Sequence, residues 1–232
     1  MTMLNIALPS SGPLYQSTID FFNNAGIPIK RSSLRAYSGT TNFDKNIKII
    51  FQRQSDIPNS ISNKVADIGV LGLDRYLENI QNNKTKTLIE KLGYGHCDLV
   101  IAVPQSWNDI NNMSDLVAYS NTNKLRIATK YPLQTQNYMS ENHMKLYEII
   151  STNGAVESAP QTGIADIIVD ISSTGTTIRE NNLKILENGY ILFSEATLIA
   201  NPVTLSNYKD KFNSAKKLLY FILGNMNSKL YN

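Results

Sequence analysis

Short apolar segments alternate with helix-like segments along most of the chain, and this alternation constrains the fold more than any other feature. Strands are predicted at Leu4–Pro9, Asn46–Arg53 and His96–Pro104, where β-branched and aliphatic residues cluster. A helix is predicted after Gly12, with Gly26 as the residue that ends it. Such alternation is typical of α/β proteins in which most neighbouring strands are parallel. We therefore predict an α/β fold with mixed, mostly parallel sheets.

The same alternation continues after an irregular loop at Pro104–Asp115. Strands are predicted within Leu125–Pro132, Ala165–Ile171 and Gly189–Asn201, and a helical pattern lies between the first two. The last helical pattern is amphipathic, and its predicted buried face consists of Phe212, Ala215, Leu218, Leu219 and Ile222. Because the loop interrupts the alternation, we interpret it as a crossover between two lobes.

Composition excludes several classes of protein. The single cysteine, Cys97, rules out a disulfide within the chain, and two histidines far apart in sequence argue against a Cys/His metal site. The net charge of +3 is too small and too evenly spread for a nucleic-acid-binding surface. No apolar run approaches the roughly 18–20 residues that span a bilayer, and the first residues do not resemble a signal peptide. We expect a cytoplasmic protein without a nucleic-acid or membrane partner.

The segment Ile167–Glu180 carries the most informative local pattern. An apolar strand ends at Asp170, and the hydroxyl residues that follow it around Gly175 are Ser172, Ser173, Thr174, Thr176 and Thr177. One interpretation is an ordinary turn in which a hydroxyl caps the next helix. The other is a cradle in which hydroxyls and backbone N–H groups bind a phosphate, with Gly175 allowing close approach. Asp170 likewise either faces a ribose or forms a turn with Ser172.

A longer segment that includes this pattern resembles a known family. The residues from Glu157 to Ile178 are similar to the signature of the ATP phosphoribosyltransferases, in which Glu157, Gly163, Ala165, Asp170, Thr174, Gly175 and Thr177 fall in register. Other blocks of that family occur in the same order, namely Gln52–Pro58, Ala66–Asp74, Leu92–Pro104 and Leu125–Pro132. The resemblance extends from about Leu4 to Asn201, which is most of the chain.

The resemblance implies a reaction and a fold. In this family, N1 of the adenine of ATP displaces pyrophosphate from phosphoribosyl pyrophosphate and gives phosphoribosyl-ATP, the first step of histidine biosynthesis. Magnesium is expected to accompany the pyrophosphate group of the substrate. The implied fold has two α/β lobes like those of type II periplasmic binding proteins. We place one lobe at residues 1–103 with 183–232 and the other, which carries the phosphate loop, at residues 104–182.

The resemblance also implies roles for single residues. Ser173, Thr174, Gly175, Thr176 and Thr177 would hold the 5-phosphate, while Asp170 and Glu157 would face the ribose. Arg53 would contact pyrophosphate as a second catalytic residue, because a guanidinium suits bidentate binding; the alternative is an ion pair with Asp56. The remaining candidates for substrate binding are Asp67, Gly72, Asp74 and Lys130. Gly72 could instead serve only a tight turn, and Lys130 could be a solvated surface residue.

The chain departs from the family pattern in its first block. Ser11 and Pro13 stand where the family usually has a lysine and an arginine, and Arg31, Arg35 or Lys30 are candidates to replace those cations. His96 and Asp98 also occupy positions where basic residues are frequent. The loss of cations leaves two alternatives to the transferase, a weakened paralogue that acts as partner or regulator and a solute-binding module of the same fold.

The length implies a regulatory partner. The long form of the family carries an additional C-terminal domain, and at 232 residues this chain resembles the short form. Short forms depend on a subunit resembling histidyl-tRNA synthetase. We therefore expect a homodimer within a larger hetero-oligomer.

Overall fold

The computed structural model describes residues 2–80, 84–152 and 154–228. The strands are β1 (Leu4–Pro9), β2 (Ile29–Arg31), β3 (Ser38–Thr41), β4 (Ile47–Gln52), β5 (Ile68–Gly72), β6 (Lys86–Ile89), β7 (Cys97–Pro104), β8 (Leu125–Thr129), β9 (Tyr147–Ser151), β10 (Ile167–Ser172), β11 (Leu183–Ser194) and β12 (Ala196–Ala200). The helices are α1 (Pro13–Asn24), α2 (Ile57–Ser62), α3 (Leu73–Glu78), α4 (Met113–Ser120), α5 (Pro132–Glu141), α6 (Thr176–Glu180), α7 (Pro202–Ser206) and α8 (Lys209–Ser228). Short 3-10 turns lie at Gln54–Asp56 and Val156–Ser158.

The chain divides into two compact units, residues 1–95 with 195–232 and residues 96–194. The sheet of the first unit has the order β2-β3-β4-β1-β5-β12-β6. Its central strands β4, β1 and β5 are parallel, so their carboxyl ends meet at one edge of the sheet. The strand β12 returns antiparallel to β5. The central strands consist largely of aliphatic residues, as is typical of strands that are covered on both faces, and Leu4, Ile6 and Ile49 are fully buried there.

The second unit has a sheet of order β11-β7-β10-β8-β9. Strands β10, β8 and β9 are parallel, whereas β7 runs antiparallel to both β10 and β11. One face of this sheet packs on a large apolar cluster that includes Ile101, Ile127 and Tyr131. A smaller cluster, with Val156, Ile168 and Ile178, covers part of the other face. The predicted α/β class with mixed sheets is confirmed, and each sheet contains three neighbouring parallel strands, β4, β1 and β5 in the first and β10, β8 and β9 in the second.

The unit boundaries differ from the predicted ones. The crossovers lie at Gly95–His96 and Ser194–Glu195, whereas the sequence placed them at residues 103/104 and 182/183. The reason is strand pairing: β7 and β11 pair with each other and β7 also pairs with β10, so both strands belong to the second unit. The loop Pro104–Asp115 therefore lies within one unit and is not a crossover.

The terminal helix α8 is amphipathic as predicted, with one exception on its buried face. Ala215, Leu218 and Ile222 are buried in the core of the first unit, but Phe212 remains 53% exposed. Tertiary packing covers a narrower stripe than the helical period alone indicates. No helix within the described residues is long and apolar enough to cross a membrane.

Candidate active site

The parallel strands of the second unit bring several predicted residues to one edge of their sheet. Val169 lies opposite Thr129 in the register of β10 and β8, and Thr129 lies opposite Ser151 in that of β8 and β9. Asp170 and Lys130 directly follow two of these paired residues, and both are half-buried. The carboxyl ends of parallel strands are the usual position for ligand binding in α/β sheets. The sheet therefore places an acid and a base at a position suited to a polar ligand.

The loop after β10 has the geometry of a tight turn around one glycine. Gly175 adopts the left-handed conformation, with φ of 72° and ψ of 1°, and α6 begins at the next residue. Its N–H donates to Ser172 Oγ at 3.0 Å, and the hydroxyls of Thr174 and Thr176 are 2.9 Å apart. Ser172 thus closes a turn with Gly175, but no side chain caps α6, whose N-cap residue is Gly175 itself. This turn does not explain Ser173, Thr174, Thr176 and Thr177, all of which are exposed.

An arginine that the sequence did not single out lies against this loop. The guanidinium of Arg179 donates to the Thr174 carbonyl at 3.2 Å and to Thr176 Oγ1 at 3.4 Å. A Cβ atom added to Gly175 would lie 2.7 Å from the Arg179 guanidinium. The helical spacing in the sequence could have identified Arg179. In a helix, a side chain four positions after Gly175 lies over the first turn and therefore close to Gly175. Arg179 thus places a positive charge beside the loop, which has no lysine of the Walker type.

Glu157 lies on the same side of the sheet as Asp170. Ile168 faces the small apolar cluster, and Asp170, two residues further along the strand, points to the same face. Val156 belongs to that cluster as well, and Glu157 follows it in the 3-10 turn. Ile178 of α6 completes the contact between this turn and the phosphate loop. Apolar packing below the loop therefore holds the two acids and the hydroxyls on one face.

A structural ion pair supports the amino end of the same strand. Arg126 makes a bidentate contact with Asp166, at 2.7 Å and 3.2 Å, and also donates to the Gly163 carbonyl at 2.8 Å. The hydrogen bond from the Arg126 guanidinium lowers the pKa of Asp166 below its ordinary value. The signature positions Gly163 and Asp166 are thus connected to β8 through Arg126.

The first unit presents a second set of predicted residues at the carboxyl ends of its parallel strands. Arg53 follows β4, and Asp74 lies at the beginning of α3 directly after β5. The Gly72 N–H donates to the Gln54 side chain at 3.0 Å. Asp74 is only 4% exposed, and a Cβ on Gly72 would collide with its carboxylate. The backbone at Gly72 is extended, so this glycine is required by close packing against Asp74, whereas the alternative interpretation was a tight turn.

Three arginines line an open cavity of about 760 Å³ beside the turn that lacks the usual lysine and arginine. They are Arg31, Arg35 and Arg53, and the wall between them includes Ser11. Arg31 is held firmly: its guanidinium donates to the carbonyls of Ser10 at 2.9 Å and Ala36 at 2.8 Å. It also lies 4.1 Å from the centre of the Phe51 ring. A cation therefore stands beside Ser11, although it comes from another part of the chain.

Asp67 is not part of this edge. It precedes β5, whereas Gly72 ends that strand, so the two residues lie at opposite edges of the sheet. Both carboxylate oxygens of Asp67 accept hydrogen bonds from Lys211 of α8, at 2.8 Å and 2.9 Å. Asp67 is 1% exposed. The structure thus gives it a buried ion pair that fixes α8 to the sheet, and does not bring it to the substrate residues.

The chain is similar to known proteins over most of its length. The HisG family model, described as ATP phosphoribosyltransferase, matches residues 53–220. The chain belongs to the ATP phosphoribosyltransferase family. A relative named ATP phosphoribosyltransferase from Chelativorans sp. (strain BNC1) is 38% identical over 206 residues, which cover 84% of this chain and 89% of the relative. One of the same name from Rhizobium etli (strain CIAT 652) is 40% identical over 205 residues, with coverage of 84% and 89%.

A solved structure extends the likeness to three dimensions. The ATP phosphoribosyl transferase (HisG:HisZ) complex from Thermotoga maritima contains a chain with a TM-score of 0.72 and 30% sequence identity to this one. The match covers 96% of this chain and 100% of that chain. Membership of the ATP phosphoribosyltransferase family therefore includes both units. Within this family, the chain keeps the signature residues Thr174, Gly175 and Thr177 and has Ser11 and Pro13 in its first block, next to three arginines that line the cavity beside it.

Proposed function

We propose that residues 173–177 bind the 5-phosphate of phosphoribosyl pyrophosphate in the reaction of the ATP phosphoribosyltransferase family. That reaction joins N1 of the adenine of ATP to the anomeric carbon of the ribose and releases pyrophosphate. The observation that carries the proposal is the left-handed Gly175 turn, with four exposed hydroxyl residues around it and the Arg179 guanidinium beside it. Hydroxyl, backbone N–H and guanidinium donors converging on one loop suit a dianionic phosphate.

Asp170 is assigned to the ribose. It lies at the carboxyl end of β10, directly before the loop, and shares its face of the sheet with the turn that carries Glu157. Positive charge develops on the ribose ring as pyrophosphate departs, and a fixed carboxylate nearby stabilises that charge more than it stabilises the ground state. Glu157 and Asp170 also accept hydrogen bonds from ribose hydroxyls in this assignment. Holding two substrates in line supplies much of the remaining rate enhancement.

Lys130 is assigned to a phosphate oxygen. Its strand β8 ends beside β10, so its ammonium starts from the same edge as Asp170. Within the described residues, no group of three His, Cys, Asp or Glu side chains is placed to hold a metal ion. Magnesium enters this proposal as part of the pyrophosphate substrate. Carboxylates and hydroxyls of the loop act on the substrate directly.

The arginine cavity of the first unit is assigned to the pyrophosphate group. Arg53 was predicted for this role, and Arg31 and Arg35 line the same cavity. A guanidinium stabilises the departing pyrophosphate by bidentate, charge-assisted hydrogen bonds. Arg31 occupies the space beside Ser10 and Ser11, so it replaces charge that the first block lacks. We assign Gly72 to supporting Asp74, which lies next to the Arg53 segment.

The regulatory partner is a further part of the proposal. The similar Thermotoga maritima protein was solved in a complex of HisG with HisZ. We infer that this chain forms a homodimer and binds a subunit resembling histidyl-tRNA synthetase. A cytoplasmic location is part of the same inference. Sedimentation of the chain alone and with such a subunit tests it, and a monomer that ignores the subunit would contradict it.

Turnover and substrate binding test the assignment of the second unit. The chain, ATP, phosphoribosyl pyrophosphate and magnesium are incubated with and without the synthetase-like subunit, and phosphoribosyl-ATP is followed by absorbance. Asp170→Asn should lower kcat roughly 100-fold or more, as expected for loss of a charge that stabilises the transition state. The matched control is Asp166→Asn, at the other end of the same strand, which should keep its kcat. An Asp170→Asn variant with unchanged kcat would contradict the assignment, and tight substrate binding without turnover by the wild type would indicate a regulatory paralogue.

A further inference from the structure

Two exposed aromatic side chains stack on each other near the end of β11. The rings of Tyr190 and Phe193 lie 5.7 Å apart between centroids, at an interplanar angle of 12°. They are 43% and 69% exposed. Residues three apart in a regular strand point to opposite faces, but the register of β11 shifts between Tyr190 and Leu192. This bulge turns both rings to one side, and bulges often redirect a side chain near a functional site.

The strand register places this aromatic pair on the same face as Asp170. Directly opposite residues in antiparallel strands point to the same face. Tyr190 is opposite Val100, which is opposite Asp170 on the other side. Phe193 is opposite Asp98, which is opposite Ser172. With strands about 4.8 Å apart, the rings lie roughly 10 Å from the ribose-facing acid and the phosphate loop.

We propose that Phe193, supported by Tyr190, stacks on the adenine base of ATP. This inference rests on the assignment of Asp170 to the ribose. The reaction requires the six-membered ring of adenine to reach the anomeric carbon, so the base must lie beside Asp170 and within a few ångströms of it. The aromatic pair lies two strands away from Asp170, so it supports the part of the purine that is more distant from the ribose. Stacking on an exposed phenylalanine is a common way to bind a nucleobase.

The charges around the pair favour a base over an apolar protein partner. Asp98 is half-buried between Ser172 and Phe193. A hydrophobic surface that covered Phe193 would also remove water from the Asp98 carboxylate without giving it a donor, which is costly. Adenine instead carries a 6-amino group that can donate to a carboxylate. Asp98, which stands where the family often has a basic residue, thus becomes a determinant for a 6-amino purine.

The test separates base binding from phosphoribosyl binding. Phe193→Ala should raise KM for ATP roughly tenfold, the effect of losing one base–aromatic stack, while the Kd for phosphoribosyl pyrophosphate stays unchanged. Phe193→Tyr should restore the wild-type KM. Tyr119→Ala removes another exposed aromatic side chain of the same unit and serves as the control. Asp98→Asn should reduce the ratio between the Kd for inosine triphosphate and the Kd for ATP, because inosine has a carbonyl oxygen in place of the 6-amine; binding is measured here, since inosine N1 carries a proton and does not react.

Two outcomes would overturn the inference. One is an unchanged KM for ATP in Phe193→Ala. The other is a loss of affinity for both substrates together with a changed sedimentation coefficient, because the aromatic pair would then be a contact between protein chains. If the wild-type chain does not bind phosphoribosyl pyrophosphate at all, the assignment of the phosphate loop fails instead, and that result is measured separately.

Discussion

Replacing Gly175 with alanine perturbs the phosphate loop at its most restricted residue. The backbone there has φ of 72°, a conformation that L-residues with a side chain adopt only at a cost. The added Cβ would lie 2.7 Å from the Arg179 guanidinium. Because α6 begins directly after residue 175 and holds the backbone in place, the guanidinium must move away from the Cβ. Movement of Arg179 breaks its hydrogen bonds to Thr174 and Thr176. One substitution thus changes both the stability of the protein and the position of the guanidinium beside the loop.

The two effects have different magnitudes. Left-handed backbone costs about 1–2 kcal/mol for alanine, and a chain of this size loses roughly 2–4 °C in Tm for each kcal/mol. We therefore expect Tm to fall by roughly 2–8 °C. Loss of one charge-assisted hydrogen bond to phosphate is worth about 1.5–3 kcal/mol. Affinity for phosphoribosyl pyrophosphate should consequently fall by roughly tenfold or more.

Gly163→Ala is the matched control. Gly163 has φ of 70°, lies in the same unit, and leaves open space where its Cβ would be. Both variants should therefore lose similar stability in thermal unfolding, while only Gly175→Ala loses affinity in calorimetric titration with phosphoribosyl pyrophosphate. Equal affinity of the two variants for this substrate would refute the phosphate loop. A bulkier Gly175→Val should eliminate binding and still give a folded protein.

Three further predictions concern charged groups elsewhere. The pKa of Asp166 is lowered by Arg126, so this pair stabilises the protein above the ordinary carboxyl pKa and ceases to do so as the pH falls through the lowered value. Tm of the wild type should therefore decrease more on acidification than Tm of Asp166→Asn, and parallel curves would contradict this. Lys211→Met leaves Asp67 buried and unpaired, which should cost about 3–5 kcal/mol in urea unfolding. Arg31→Met should weaken inhibition by inorganic pyrophosphate, and Arg31→Lys should retain part of it; equal inhibition in all three proteins would remove Arg31 from the site.

Local patterns predicted about half of the strands, among them β1, β4, β7, β8 and β10, and they singled out the candidate phosphate loop. β1 begins and ends at the residues expected, and α1 ends before Gly26, which has φ of 76°. Both features depend on neighbouring residues alone, namely a continuous apolar run and a glycine in the left-handed region. The loop was predictable for the same reason, because its hydroxyls, its glycine and the start of α6 lie within a few positions of each other.

Other parts of the site depend on residues that are distant in sequence. Arg31 contacts the Ser10 carbonyl only because the chain returns through β2 and β3 to the sheet edge. Asp67 was predicted as a substrate residue, and its partner Lys211 lies 144 positions away. No periodicity in the sequence contains such a pairing. The family resemblance identified the segment that contains Asp67 and Gly72. It did not show that these two residues lie at opposite ends of β5.

The amino-acid sequence by itself determined the α/β class and the family of this protein, and it singled out residues 173–177 as the candidate phosphate loop, because each depends on patterns of neighbouring residues. Only the tertiary structure decided where the two units divide, since β7 and β11 could not be assigned until their pairing partners were known. It also decided which cations stand beside Ser11 and which aromatic rings share a face with Asp170. Those facts follow from strand order and register, and a shift of one residue in register would move every side chain to the opposite face.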